Sequence, residues 1–87
     1  MQRGKFIIDN DKMQSGVWEC TPGHFDVMNR VNAETCYIIS GKARITNLED
    51  KNSFTDLGPG DCFILPLGSS NRWDIFEKTR KMFTVVK

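Results

Sequence analysis

Two short segments of this sequence carry polar side chains at alternate positions, the spacing that places them on one face of a β-strand. Glu34 and Cys36 are two residues apart in the first segment, and Asn71 and Trp73 are two residues apart in the second. Successive side chains of a strand point to opposite sides of the sheet, so each pair shares a face. A carboxylate, a thiol, an amide and an indole that met in one cavity would form a small-molecule site.

Glu34 is the candidate catalytic residue of this set. A carboxylate that faces a partly apolar cavity is expected to have a raised pKa, in the range that is useful for proton transfer. The alternative is a buried carboxylate held only by internal hydrogen bonds. Cys36 is a candidate ligand-binding thiol, but it also fits the role of a small buried hydrophobic residue, because no neighbouring histidine in the sequence could activate it.

Asn71, Trp73 and Lys81 are further candidates for ligand binding. The Asn71 amide could orient a planar ligand and the Trp73 indole could stack on it, although Trp73 could equally fill a small barrel. Either Arg80 or Lys81 must face inward if the last strand alternates regularly. An inward cation could anchor a carboxylate ligand, pair with Glu34, or lie outside in solvent instead.

The elements that must position these residues are short β-strands. Runs rich in Val, Ile, Phe and Trp recur between turns rich in Gly, Pro, Asn and Asp, and helical spacing is rare, which predicts an all-β domain of eight or nine strands. Residues 34–39 and 42–48 are predicted to form a hairpin hinged at Ser40-Gly41. The tight turn at residues 58–61 precedes an apolar run at 62–65 that is predicted to be a buried strand. Residues 71–76 and 81–86 are predicted to be the last two strands.

Composition limits the classes of partner. The 87 residues include 12 Lys plus Arg and 11 Asp plus Glu, a formal charge of +1, so neither a nucleic acid nor a membrane is an expected partner. Three cysteines without metal-ligand spacing indicate reduced thiols, and with no signal-peptide core this predicts a cytoplasmic protein. We expect residues 1–87 to be a single domain. A barrel this small leaves apolar strand edges exposed to solvent, and covering them by a second copy predicts a homodimer.

The order of these pieces resembles the small single-domain cupins related to the ureidoglycine aminohydrolase and ethanolamine-utilisation cupins. The resemblance covers residues 16–86 and rests on residues 18–25, 34–41, 59–61, 66–68, Trp73 and 80–81. It implies a double-stranded β-helix, the jelly-roll barrel, whose interior receives the face of Glu34 and Cys36. It also favours Lys81, rather than Arg80, near the mouth of the pocket. Trp18, Cys20 and Phe25 are then core or pocket wall, and core is favoured.

The resemblance also implies a metal site of three histidines and one glutamate, which this sequence cannot supply. Glu34 keeps the position of the glutamate, but the chain contains one histidine, His24. Counted with the usual gaps, the first two histidine positions fall on Met28 and Arg30, or on Val27 and Asn29, and the third falls on Asn71. We therefore expect no metal cofactor, although Glu34, with Cys36 or Asn71, could still form a weaker site.

Three functions follow from these residues. The first is an enzyme that acts on a small nitrogenous or carboxylate metabolite, with Glu34 moving protons. The second is a metal-free binding or sensing module that uses the same pocket without catalysis. The third is a structural subunit whose barrel serves association. The missing histidines favour binding over metal-dependent catalysis, and the expected cavity argues against a purely structural role.

Overall fold

A computed structural model describes residues 2–87, and these form seven β-strands without any helix. The prediction of an all-β fold is therefore confirmed. The strands are β1 (Gln2–Asp9), β2 (Met13–Cys20), β3 (Gly23–Val27), β4 (Ala33–Asn47), β5 (Asp50–Leu57), β6 (Cys62–Leu65) and β7 (Asn71–Val86). In residues 2–87 there is no helix that could span a membrane.

The two longest strands, β4 and β7, form the centre of the fold. They pair antiparallel from Ala33 opposite Val86 to Asn47 opposite Asn71. The first half of β4 also pairs with β6, and the matching half of β7 pairs with β2, which in turn pairs with β1. Beyond the middle of both strands the neighbours are instead β5 and β3. The long pair thus contributes to two layers, which face each other across the interior.

Residues Ser40 and Gly41 mark a bend in β4, and the predicted hairpin at this point is wrong. The two halves do not pair with each other; both pair with β7, and the register shifts between Ile38 and Ala43. Gly41 has a φ of 101°, and a Cβ at this position would lie 2.5 Å from the Cα of Thr79 on β7. Glycine is therefore needed for a close backbone crossing rather than for a chain reversal.

The predicted strand count and one predicted burial also need correction. The sequence predicts eight or nine strands, but residues 2–87 form seven. The predicted breaks at residues 40–41 and 77–80 lie inside the continuous strands β4 and β7. The strand at 62–65 is present as β6, but it is only partly buried. Leu65 belongs to the core, whereas Cys62 is exposed and Ile64 is 65% exposed.

The turn before β6 forms where the sequence predicts it. The Gly58 amide donates to Asp61 Oδ2 at 2.8 Å, and the Asp61 amide donates to the Gly58 carbonyl at 3.1 Å. Two further bonds attach the turn to β4, because the Gly60 amide donates to the Ile38 carbonyl and the Ile38 amide donates to the Asp61 carbonyl, both at 2.9 Å. The turn therefore fixes the start of β6 against the strand that carries Glu34.

The core is thin, as expected for a chain of this length. Its buried apolar residues come from both layers: Cys20, Cys36, Ile38, Ala43, Leu57, Leu65, Trp73 and Ile75. Apolar side chains also lie on the outer surface, where Tyr37 is opposite Met82 in the register and the two are 43% and 50% exposed. A homodimer could bury a surface of this kind, and the expected homodimer stays a prediction.

The bend gives a first testable prediction. Replacing Gly41 with Ala should lower the free energy of unfolding by at least about 2 kcal/mol, because the new methyl group overlaps the β7 backbone and the left-handed φ disfavours a side chain. Gly58→Ala is the matched control, since a Cβ there meets nothing within 4 Å, and its stability should stay near that of the parent protein. Urea unfolding of the three proteins measures both effects. Equal stability of Gly41→Ala and the parent would show that the crossing is looser than described.

Candidate functional site

A cavity of about 170 Å³ lies between the two layers, and aromatic side chains form much of its wall. It is lined by Gln2, Trp18, Phe25, Val27, Arg30, Glu34, Trp73, Lys81 and Phe83. The Trp18 and Trp73 rings, from opposite layers, have centroids 5.9 Å apart, and the Phe25 ring stacks on Trp73 at 6.1 Å. These separations fall within the range of favourable aromatic contacts. Trp18 and Phe25 are therefore cavity wall, whereas Cys20 is core.

Glu34 and Lys81 form an ion pair beside this wall. The Lys81 Nζ donates to Glu34 Oε2 at 2.7 Å, and the Cys36 thiol donates to the same oxygen at 2.9 Å. The ammonium also lies 4.6 Å from the centroid of the Trp73 ring and 4.9 Å from that of Trp18, within the range of cation–π attraction. The side chains of Lys81 and Glu34 are only 8% and 13% exposed, so the pair is largely removed from water.

The pKa of Glu34 is lowered from its ordinary value, so the expectation of a raised pKa is wrong. Burial is the largest single influence and raises the pKa. The charge of Lys81, hydrogen bonds from Cys36 and Lys81, and the charge of Arg30 together outweigh it. Glu34 is therefore a fixed anion at neutral pH. Its ionised form adds stability above its ordinary pKa of 4.5, and this stability is lost as the pH falls through the lower folded value.

The thiol of Cys36 is poorly suited to nucleophilic attack. Burial raises its pKa to about 12, the charge of Lys81 opposes this rise, and the charge of Glu34 adds to it. At neutral pH the thiol keeps its proton, which it donates to the Glu34 carboxylate. The arrangement fits the structural alternative for Cys36, a small buried group, with the added role of holding Glu34.

Arg30 is a site residue that sequence reasoning did not select. Its side chain is 10% exposed, and Nη1 lies 3.5 Å from Glu34 Oε1. Two backbone hydrogen bonds hold the loop that carries it. The backbone N–H of Arg30 donates to the Ser69 carbonyl at 3.0 Å, and the backbone N–H of Gly68 donates to the Arg30 carbonyl at 2.7 Å. The available signal was the count back from Glu34, which places Arg30 at one of the positions where the resemblance expects a histidine.

Only some of the side chains that the sequence predicts to face one cavity do so. Trp73 lies in the cavity wall, and Lys81 faces inward whereas Arg80 pairs outside with Glu19 at 2.9 Å. Asn71 does not reach this cavity but lines a neighbouring one of about 220 Å³. Residues two apart on one strand face are separated by about 6.6 Å, which is enough to place them beside different cavities. Of the four groups predicted to converge, Glu34 and Trp73 line this cavity, whereas Asn71 and the fully buried Cys36 do not.

The residues around Glu34 do not fit the metal site of typical cupins. Residues 2–87 contain no group of three or more His, Cys, Asp or Glu side chains that could hold a metal ion. Moreover, both Glu34 oxygens already face cations, Oε2 at 2.7 Å from Lys81 and Oε1 at 3.5 Å from Arg30. A metal ion here would meet two positive side chains and one carboxylate, a donor set that opposes binding.

Comparison with known proteins finds the same fold repeatedly. Residues 9–83 match the family model of the EutQ-like cupin domain. The EutQ protein of Clostridium difficile is 17% identical, with a TM-score of 0.84 over 98% of this chain and 67% of that one. The Cnp3 cupin domain of Schizosaccharomyces pombe is 16% identical, with a TM-score of 0.84 over 99% and 64%.

One similar structure has higher sequence identity. A DUF861 family protein of Thermotoga maritima is 31% identical, with a TM-score of 0.70 over 77% of this chain and 73% of that one. No curated protein sequence matches this chain. The prediction of a cupin barrel is confirmed by these comparisons.

The buried ion pair gives a second prediction. Replacing Lys81 with Met should cost about 3–5 kcal/mol of stability, because it leaves the Glu34 carboxylate buried without its closest cation. Lys78→Met is the matched control on the same strand, since the Lys78 side chain is 59% exposed, and its stability should change by no more than about 0.5 kcal/mol. Denaturant unfolding at pH 7 compares the two. Similar small losses for both variants would mean that the Lys81 pair is solvated.

The cysteines give a third prediction. In the folded protein at pH 8, iodoacetamide should alkylate the exposed Cys62 while Cys36 stays unmodified, because the Cys36 thiol is buried and has a pKa of about 12. In urea, all three cysteines should react. Peptide mass spectrometry after timed alkylation gives the rates. Alkylation of Cys36 in the folded state as fast as that of Cys62 would restore a nucleophilic role for it.

Proposed function

This chain belongs to the EutQ-like cupin domain family, and from that premise we propose that its interior cavity binds a small polar metabolite without a metal cofactor. The observation that carries the proposal is the enclosed Glu34–Lys81 pair, with 2.7 Å between Oε2 and Nζ, set into a wall that includes Trp18 and Trp73. Apolar walls with a few fixed polar groups are the usual form of a small-molecule site. The structures with which the fold is shared do not identify the ligand, because one fold serves many functions.

Binding without turnover is better supported than catalysis. A general acid or base works best with a pKa near the operating pH. The pKa of Glu34 is lowered and that of the Cys36 thiol is raised to about 12, so both move away from that range. An enzymatic role like that of the ureidoglycine aminohydrolases, with Glu34 moving protons on a nitrogenous or carboxylate substrate, is therefore the weaker candidate.

The assignments of the site residues follow the same proposal. Glu34 and Lys81 would contact polar groups of the ligand, Trp73 would contact its body, and Cys36 would hold the Glu34 carboxylate in place. Asn71 would act only if a ligand also entered the neighbouring cavity. Self-association as a homodimer and a reducing compartment such as the cytoplasm are also part of the proposal, supported by the exposed apolar surface and by the free thiols.

The test of this function compares Glu34→Gln with the parent protein in a thermal-shift screen of small metabolites. A ligand present at 100 times its Kd should stabilise the parent by about 2.7 kcal/mol. Glu34→Gln keeps the size of the side chain but leaves the buried Lys81 and Arg30 without their anion, so it should unfold at a lower temperature than the parent. It should also lose the ligand-induced shift, because the carboxylate that holds both cations in place is removed. Glu77→Gln is the control, since the Glu77 side chain is 60% exposed and lies outside the cavity, and it should keep the shift.

A purely structural role of Glu34 predicts a different ligand response. If Glu34 only accepts internal hydrogen bonds and pairs with its neighbours, its replacement should lower stability in the same way but leave every ligand-induced shift unchanged. That result would show that Glu34 has no binding role.

A further inference from the structure

The charges that line the cavity do not cancel. Its charged side chains are Arg30, Glu34 and Lys81, two cations and one anion, which sum to +1. Lys81 and Glu34 neutralise each other at 2.7 Å. The contact between Arg30 and Glu34 is weaker, because Nη1 lies 3.5 Å from Oε1. A charge-assisted hydrogen bond typically measures about 2.7–2.9 Å.

The guanidinium of Arg30 also has an unused donor. Its Nε is buried, and among residues 2–87 it has no hydrogen-bond partner. The side chain as a whole is 90% buried, since only 10% of its surface is exposed. Leaving a buried charged donor unmatched is strongly unfavourable, so such groups are expected to have an acceptor. Two backbone hydrogen bonds also hold the loop that carries Arg30, and with its side chain 10% exposed Arg30 is not a freely moving surface arginine.

We propose that the cavity selects a small monocarboxylate with an apolar body, whose carboxylate pairs with Arg30 while its body lies against Trp18 and Trp73. This inference rests on the proposed binding function and specifies its ligand class. A carboxylate supplies the single negative charge that the cavity lacks, and its two oxygens match the planar donors of a guanidinium. The aromatic rings offer contact to an apolar body.

Size and charge exclude other ligand classes. A water molecule takes up about 30 Å³ in the liquid, so a cavity of about 170 Å³ has room for roughly six. This favours small acids, and because the cavity is open on one side, part of the ligand's apolar body can extend beyond it. A cationic ligand would meet the excess positive charge of Arg30, and Glu34 could not compensate because its oxygens already face Lys81 and Arg30. A neutral ligand would leave that charge unbalanced.

The experiment uses three matched pairs of probes and the protein's own fluorescence. The chain contains two tryptophans, and both line the cavity, so a ligand that enters it should change the intrinsic emission. Propionate is compared with propionamide, benzoate with benzamide, and benzoate with benzylamine. At pH 7 we expect at least one carboxylate to bind at least tenfold more tightly than its amide, and benzylamine to bind more weakly still.

Variants of Arg30 assign the selectivity to this residue. Arg30→Gln should weaken binding of the carboxylate at least tenfold and remove its advantage over the amide. Arg30→Lys keeps the charge but loses Nε and the planar fork, and it should retain part of that advantage. Arg3→Gln is the control, because the Arg3 side chain is 73% exposed and lies outside the cavity, and it should bind like the parent. If Arg30→Gln does not fold, the probe series on the parent protein and on Arg30→Lys still decides the question.

The outcomes separate this inference from the proposed function. Equal binding of carboxylates and amides, or carboxylate binding that Arg30→Gln leaves unchanged, would overturn the choice of ligand class while the pocket remains a binding site. Absence of carboxylate binding, with other metabolites still producing Glu34-dependent thermal shifts, would likewise overturn the ligand class alone. Absence of any response to the probes and to the metabolite screen would overturn both.

Discussion

The ion pair between Lys81 and Glu34 is the interaction on which the interior of this protein depends. Two charges removed from water are stable only when their geometry is good and their remaining hydrogen-bonding groups find partners. Here the Cys36 thiol contacts the carboxylate and the rings of Trp18 and Trp73 face the ammonium. The pair also constrains strand register, because a shift of β4 or β7 by one residue would turn one partner outward and leave the other buried alone.

The same pair explains how a barrel of this family keeps a polar interior without histidines. Glu34 stays at the position where the resemblance places a metal-binding glutamate, but side-chain cations face both of its oxygens. Arg30 occupies one of the positions counted for a histidine, so a fixed guanidinium stands where a metal ligand would. A metal ion presents open coordination positions to a substrate, whereas an arginine presents donors of fixed geometry. Under the proposed function, this difference favours recognition of an anion over activation of a substrate.

Much of the fold could be predicted from the sequence, and the site only in part. Alternation alone placed Glu34 and Cys36 on one face, because the period of a strand is independent of its partners. The hairpin at Gly41 failed because a glycine with positive φ serves a sharp bend as well as a turn, and only the backbone of β7 distinguishes the two. The lowered pKa of Glu34 depends on Lys81, 47 residues away, and Arg30 lies in a loop without periodicity. Alternation made pairing of Lys81 with Glu34 one of three possibilities, and only the distance between the two strands decides among them.

The pairing of β7 has a consequence for the order in which this chain acquires its structure. β7 is the last strand, and it pairs with β2, β3 and β4, so it joins both layers. During synthesis these three strands emerge before their shared neighbour exists, and the nascent chain has exposed strand edges until residue 86 has left the ribosome. Closing such distant pairings is entropically costly and slow. The barrel therefore forms after translation of β7 rather than alongside it, and its early segments are the ones most exposed to aggregation.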